Sequence, residues 1–150
     1  MAMTETQALV RRFHDAAFNQ LDPSIVDELL APDYVRHDPA FPGGANRAVT
    51  KRLIATLREG VPDVQHAWDD QRVAGDQVIT RWSATGTHTG PLFGHQPRQA
   101  GTQLTMTGIF IDRVADGRIV ESWSEWDQLS LLRQIGVDAG SAPAAREVGR

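Results

Sequence analysis

Gln103–Gly136 reads QLTMTGIFIDRVADGRIVESWSEWDQLSLLRQIG, and this stretch decides the fold. Two alternating runs flank Ala115-Asp116-Gly117-Arg118, and Asp-Gly between alternating runs is the strongest short-range signal for a β-hairpin. A short helix is predicted over Gln128 to Ile135, with Asp127 as its N-cap and Gly136 as a left-handed stop. The stretch is therefore a long two-stranded ribbon ending in a helix, and it predicts the central strands of a curved sheet. Side chains alternate along the second strand. Ile119, Glu121, Trp123, Glu125 and Asp127 share one face, and Val120, Ser122, Ser124 and Trp126 share the other. Three carboxylates inside one cavity would repel each other and lose hydration, at a cost of several kcal/mol. The acidic face is therefore expected to meet solvent or a partner subunit, and the Val/Ser/Ser/Trp face to look inward unless a bulge swaps them.

Working outward, the remainder of the 150-residue chain is divided in two. An amphipathic helix is predicted from Thr4 to Gln20, with Thr4 and Gln7 as a capping box. A second helix restarts at Asp22-Pro23 and ends before Pro32, and a third runs from about Asn46 to Glu59. Between them, Asp33 to Pro39 reads as a short extended piece and AFPGGAN as a loop. From Asp63 the pattern turns to strands, Val64–Val73 and Gln77–Thr87. TGPLFGHQPRQAG, Thr89–Gly101, reads as a loop across the mouth of the sheet. Helices followed by strands predict an α+β fold, with helices segregated on one face of a mainly antiparallel sheet. A strongly bent sheet under such helices makes a cone with a pocket inside. One domain is expected over 1–138, with a mobile tail at 139–150.

Composition narrows the function classes. A net charge of −4 and a pI near 5.7, without a basic cluster, argue against a nucleic-acid partner. The chain has no cysteine, which removes disulfides, thiolate zinc sites and a Cys nucleophile. The first residues lack a signal-type apolar core and no apolar run approaches membrane-spanning length, so a cytoplasmic, non-membrane protein is expected.

Three segments carry a family resemblance: ALVRRFHDAAFNQLDPSIVDELLAPDYVRHDP, GDQVITRWSATGTHTG and TGIFIDRVADGRIVESWSEWDQLSLLRQIG. Together they resemble the SnoaL-like polyketide cyclase (ester cyclase) family, within the nuclear-transport-factor-like superfamily of α+β cones. The resemblance implies that cone fold and a small-molecule pocket. It also implies an acid/base aspartate and an assisting histidine, but the matching positions here are Ser124 and Phe110. Ketosteroid isomerases of the same superfamily place their base before a proline, as in Asp38-Pro39. Their oxyanion-hole tyrosine falls near Phe13 and their protonated aspartate near Ile109 or Phe110.

Asp38 is the first catalytic candidate, since a carboxylate inside an apolar cone can move protons near neutral pH. The competing reading is an exposed turn-former before Pro39. His37 is the neighbouring candidate, and in a regular strand only one of the two can face inward. His88 could reach the mouth from the end of its strand as an acid/base group, or simply bond to backbone. His14 and His95 read as solvated and His66 as structural. Phe13, Phe18, Tyr34, Trp82, Met106, Phe110 and Trp126 are the expected apolar lining, with Ser122 and Ser124 as hydroxyls that orient a ligand. No cofactor is expected, and no close-spaced motif supports a metal held by His37, Asp38 and His88. The expected partners are a small hydrophobic molecule and a second copy, with Trp123 at the homodimer contact.

Three functions remain open at this level. The first is cofactor-independent acid/base catalysis on a hydrophobic carbonyl compound. The second is a hydroxylase or epoxide-hydrolase type of enzyme, whose signature would be a carboxylate paired with arginine inside the pocket. The third is a non-catalytic binding domain.

Overall fold

The computed structural model describes residues 3–99 and 101–137, so the tail expected at 139–150 lies outside the described residues. Helix α1 (Glu5–His14) begins where the Thr4 hydroxyl accepts from Gln7 N, the cap that the sequence predicts. Instead of running on as an α-helix to Gln20, the chain widens into a π-helical turn at Asp15–Asn19. Helix α2 (Ser24–Leu29) is short, with Asp22 accepting from Ser24 N at 2.9 Å. Helix α3 (Arg47–Gly60) is capped by Asn46, which accepts from Val49 N. Their apolar stripes, Val10, Phe13, Val26, Ile54 and Leu57 among them, are buried against the sheet.

The sheet has six strands: β1 (Leu30–Asp38), β2 (Phe41–Ala45), β3 (Gln65–Ala74), β4 (Gln77–His88), β5 (Thr102–Ala115) and β6 (Arg118–Trp126). Helix α4 (Gln128–Gln134) follows β6, with Asp127 accepting from Ser130 N as its N-cap. The strand order is β2-β1-β6-β5-β4-β3, antiparallel throughout except where β1 lies parallel to β6. Two of these strands differ from the sequence reading, which has only a short extended piece and a loop between α2 and α3. The partner of β1 is β6, more than 80 residues away, and local pattern carries no trace of it. Strand β2 contains a proline and two glycines, a composition that only an edge strand tolerates.

The hairpin forms as expected. Asp116 and Gly117 both have positive φ (53° and 73°), as a two-residue primed turn requires. Next to the turn the register slips: Arg113 faces Glu121 but Val114 faces Ile119, which leaves Val120 as an extra, bulged residue. The bulge corrects the strand parity on one side only. Ser122 and Ser124 point inward as expected, whereas Ile119 is fully buried instead of joining the acidic face, and Val120 is half-exposed. A further bulge in β3 between Trp68 and Asp70 adds to the bend of the sheet.

Gly108 in β5 sits between Trp82 and Trp126 in the ladder, and a Cβ there would lie 2.5 Å from Trp82 Cζ2 and 2.8 Å from the Glu125 carbonyl. Gly108→Ala should lower the unfolding free energy by about 1–3 kcal/mol in urea titrations. Gly43→Ala, where a Cβ would meet nothing within 4 Å, should stay within about 0.5 kcal/mol of the parent.

Candidate active site

Strand β1 supplies the charged groups. Its alternation sends Tyr34, Arg36 and Asp38 inward and Val35 and His37 outward. Arg36 is only 3% exposed. Asp38 Oδ1 accepts from Trp126 Nε1 at 3.1 Å and from Ala40 N at 2.9 Å. Its Oδ2 lies 3.4 Å from Arg36 Nε, a charge contact without hydrogen-bond alignment. Arg36 Nε and Nη2 have no hydrogen-bond partner among the described residues, and the guanidinium lies 5.9 Å from the Phe41 ring centroid. A buried guanidinium with idle donors is costly, so these donors are available to an incoming oxygen atom.

The pair opens onto a cavity that offers about 60 Å³ to the centres of water-sized spheres, room for roughly four or five waters. Phe18, Trp82, Met106, Phe110 and Trp126 form most of its wall, and Ser124 and His66 add polar atoms. Trp82 and Phe110 stack at 5.3 Å between centroids. Phe41, Leu53 and Phe93 line both this cavity and the surface groove beside β2 and α3. Phe93 packs 5.9 Å from the Trp126 ring and has φ of +47°, an uncommon backbone state for an aromatic residue.

Below the floor lies a second polar cluster. His14 is 1% exposed, and its Nε2 is 3.0 Å from Asp112 Oδ2, while Ser122 Oγ donates to Asp112 Oδ1 at 2.5 Å. The Tyr34 hydroxyl lies beside Ser122, and burial pushes its pKa well above the ordinary tyrosine value. The His14 ring is 4.9 Å from the Phe110 ring, so Phe110 separates this cluster from the cavity.

His66 stands in the cavity wall with its ring stacked on Trp68 at 5.5 Å. Its Nδ1 is 3.1 Å from the Phe18 carbonyl oxygen. Burial holds its pKa down to about 4, outweighing the bond to Phe18, and the nearby His14 adds to the depression.

The expected residues separate into groups. Asp38, Trp82, Met106, Phe110, Ser124 and Trp126 line the cavity, whereas Phe13, Tyr34 and Ser122 are buried outside it. His37 is corrected to the outer face, where it bonds Glu121 at 2.8 Å and stacks on Trp123 at 5.5 Å. Both His37 and Arg113 hold the Glu121 carboxyl below its usual pKa. His88 is buried as its strand parity implies, but it lines a different pocket, beside Thr102 and Gln134. The conceivable metal set of His37, Asp38 and His88 is therefore not brought together, and no other such group occurs among the described residues. His14 is buried where the helix pattern implied solvent, because the π-helical turn and β5 close over it. Arg36 and His66 also line the cavity, although the sequence reading placed neither among the pocket residues and took His66 as structural. Their parity with Asp38 and Trp68 was the available signal.

With that geometry in place, similarity adds the lineage. The SnoaL-like polyketide cyclase profile matches residues 8–135. The chain belongs to the SnoaL-like polyketide cyclase family. Among solved structures of this fold, IdmH of Streptomyces antibioticus, named as a candidate polyketide cyclase, is 32% identical. That match covers 89% of this chain and 100% of the other, with a TM-score of 0.74. TsrD of Streptomyces laurentii is 29% identical over 92% and 99% of the two chains, with a TM-score of 0.76. AclR of Streptomyces galilaeus, named as a candidate hydroxylase, is 26% identical over 99% and 91%, with a TM-score of 0.80. No curated protein matches the sequence. No helix among the described residues is long and apolar enough to cross a membrane.

His66 also makes stability depend on pH. Its folded pKa of about 4 lies below the ordinary 6.5, so the neutral ring favours the fold. That contribution is complete above pH 6.5 and is lost as pH falls toward 4, amounting to roughly 3 kcal/mol. Urea unfolding of the parent should weaken across that window, and His66→Phe should flatten the slope.

Proposed function

We propose that this family member binds a small hydrophobic carbonyl compound in the cavity and acts on it by cofactor-independent acid/base chemistry. The observation that carries this reading is the Arg36–Asp38 pair, set into a wall that is otherwise largely aromatic and aliphatic. Asp38 Oδ2 is the base: it removes a proton from the carbon next to the carbonyl. The electron pair moves onto the carbonyl oxygen, and the idle Arg36 donors hold the resulting enolate. Trp126 Nε1 and Ala40 N keep the carboxylate aimed. The enolate carbon then attacks a second carbonyl to close a ring, and the alkoxide formed takes the proton from Asp38; with a conjugated substrate the dienolate instead takes that proton back at its γ-carbon. Either step balances without an added oxidant or reductant. Ser124 occupies the position that the resemblance gives to the family's acid/base aspartate, so the base has moved to β1.

The carboxylate–arginine pairing also fits the hydroxylase or hydrolase reading, in which the pair would orient a water, and AclR adds weight to it. A pocket that only binds is the third reading. We further propose that the outer sheet face, with Trp123, Val35 and Ile109, carries a homodimer contact and that the protein is cytoplasmic; Val35 and Ile109 are exposed apolar residues.

Incubation of 2-tetralone with the protein in D2O, followed by NMR, tests the main reading. The parent should accelerate exchange at the acidic carbon, and Asp38→Asn should lose about 10²–10⁴-fold while still binding the ketone. Binding without exchange in the parent would favour a binding domain. Opening of an aryl epoxide to a diol, without ketone exchange, would favour the hydrolase reading.

A further inference from the structure

The π-helical turn after α1 is built to hold one histidine. All four of its polar contacts to the sheet among the described residues go to β3, the edge strand, and two of its residues grip His66. Asn19 Oδ1 accepts from His66 N at 2.6 Å, and Asn19 Nδ2 donates to His66 O at 3.1 Å. This side chain therefore occupies the place of a missing neighbour strand at that residue. The Phe18 carbonyl, left without a partner at the end of the helical segment, faces His66 Nδ1 at 3.1 Å. Asp15 Oδ1 accepts from Trp68 Nε1 at 2.6 Å, which fixes the indole that stacks on the His66 ring. Trp82 packs from another side, 5.1 Å between centroids. Isolated π-helical turns inside α-helices occur often at functional sites.

This fixation has a chemical consequence. A carbonyl oxygen can only accept, so the Nδ1 facing Phe18 carries the ring proton. In the neutral imidazole Nε2 is then an acceptor lone pair. The ring cannot flip without losing the Phe18 bond and its stacking.

We propose that His66 is the cavity's hydrogen-bond acceptor for a substrate hydroxyl, so that the compound taken up is an aromatic or enolic ketone or ester bearing an acidic O–H. This rests on the carbonyl-pocket reading above and narrows its substrate class. Arg36 supplies donors to the carbonyl end, and His66 receives the hydroxyl end. The ring stays neutral across the physiological range, in keeping with its low pKa. The titratable and charged groups that bear on it are His14, which disfavours its protonation, Asp15 through Trp68, and the Arg36–Asp38 pair in the same cavity wall. His66 is a specificity residue here, and the proton removed from carbon still goes to Asp38.

Two measurements on the full chain test it. Long-range ¹H–¹⁵N NMR of histidine-labelled protein should report His66 as the Nδ1–H tautomer from pH 8 to 5, and its Nε2 resonance should move on adding 6-hydroxy-1-tetralone but stay with 1-tetralone. Calorimetry should give roughly tenfold tighter binding of the hydroxy ketone than of 1-tetralone or 6-methoxy-1-tetralone, one hydrogen bond's discrimination. His66→Phe, which keeps a stacking ring, should reduce that preference to within about twofold. An Nε2–H tautomer, equal binding of the three ketones by the parent, or a preference that survives in His66→Phe overturns the proposal and leaves the carbonyl pocket standing. Failure of all three ketones to bind overturns both readings. If His66→Phe does not fold, the parent's tautomer and the ligand-dependent Nε2 shift decide alone.

Discussion

The parallel seating of β1 against β6 is the constraint on which the site depends. It pairs Arg36 with Ser122 and His37 with Trp123, so that the next inward residue, Asp38, falls within reach of the Trp126 indole. Slip that register by one residue and every side chain changes face. His37 would then enter the cavity, and the Arg36–Asp38 pair would move to the acidic outer surface. The antiparallel ribbon of β5 and β6 offers the edge on which β1 docks. In that sense the hairpin organises the cone even though the chief charged residues lie elsewhere.

Burying charge inside an aromatic cavity costs several kcal/mol, and the surroundings offset it for one partner more than for the other. Asp38 keeps two hydrogen bonds and a guanidinium neighbour, whereas Arg36 keeps donors without partners. The asymmetry leaves the unmet hydrogen-bonding capacity of the pair on the guanidinium. The His14–Asp112–Ser122 cluster has a different character. It lies behind Phe110, and none of its three side chains lines the cavity.

Membership of the SnoaL-like polyketide cyclase family and the identities of the cavity residues carry different information. The family and its solved relatives account for the architecture. At the positions that the resemblance assigns to acid/base chemistry stand a serine and a phenylalanine, and a fold shared by many chemistries does not supply what the side chains lack. A carboxylate on β1, an arginine beside it and a fixed histidine in the same cavity wall make a distinct arrangement on the same scaffold.

Much of the architecture was legible in the chain itself. Helix caps at Thr4, Asn46 and Asp127, the Asp116-Gly117 turn and the alternation of β4 to β6 all act within a few residues, where local chemistry decides. Those signals determined an α+β cone and placed Ser124, Trp82 and Phe110 on an inner face. The full length of β1 was not legible, because it pairs with a strand more than 80 residues away, and β2, rich in proline and glycine, forms only as an edge strand on β1. Nor was the Val120 bulge, which sets Ile119 inward, or the π-helical turn, which buries His14 and aims Phe18 at His66. The choice between Asp38 and His37, left open by sequence, was made by β6. Two adjacent strand residues cannot share a face, and only a neighbouring strand determines which of them meets the core.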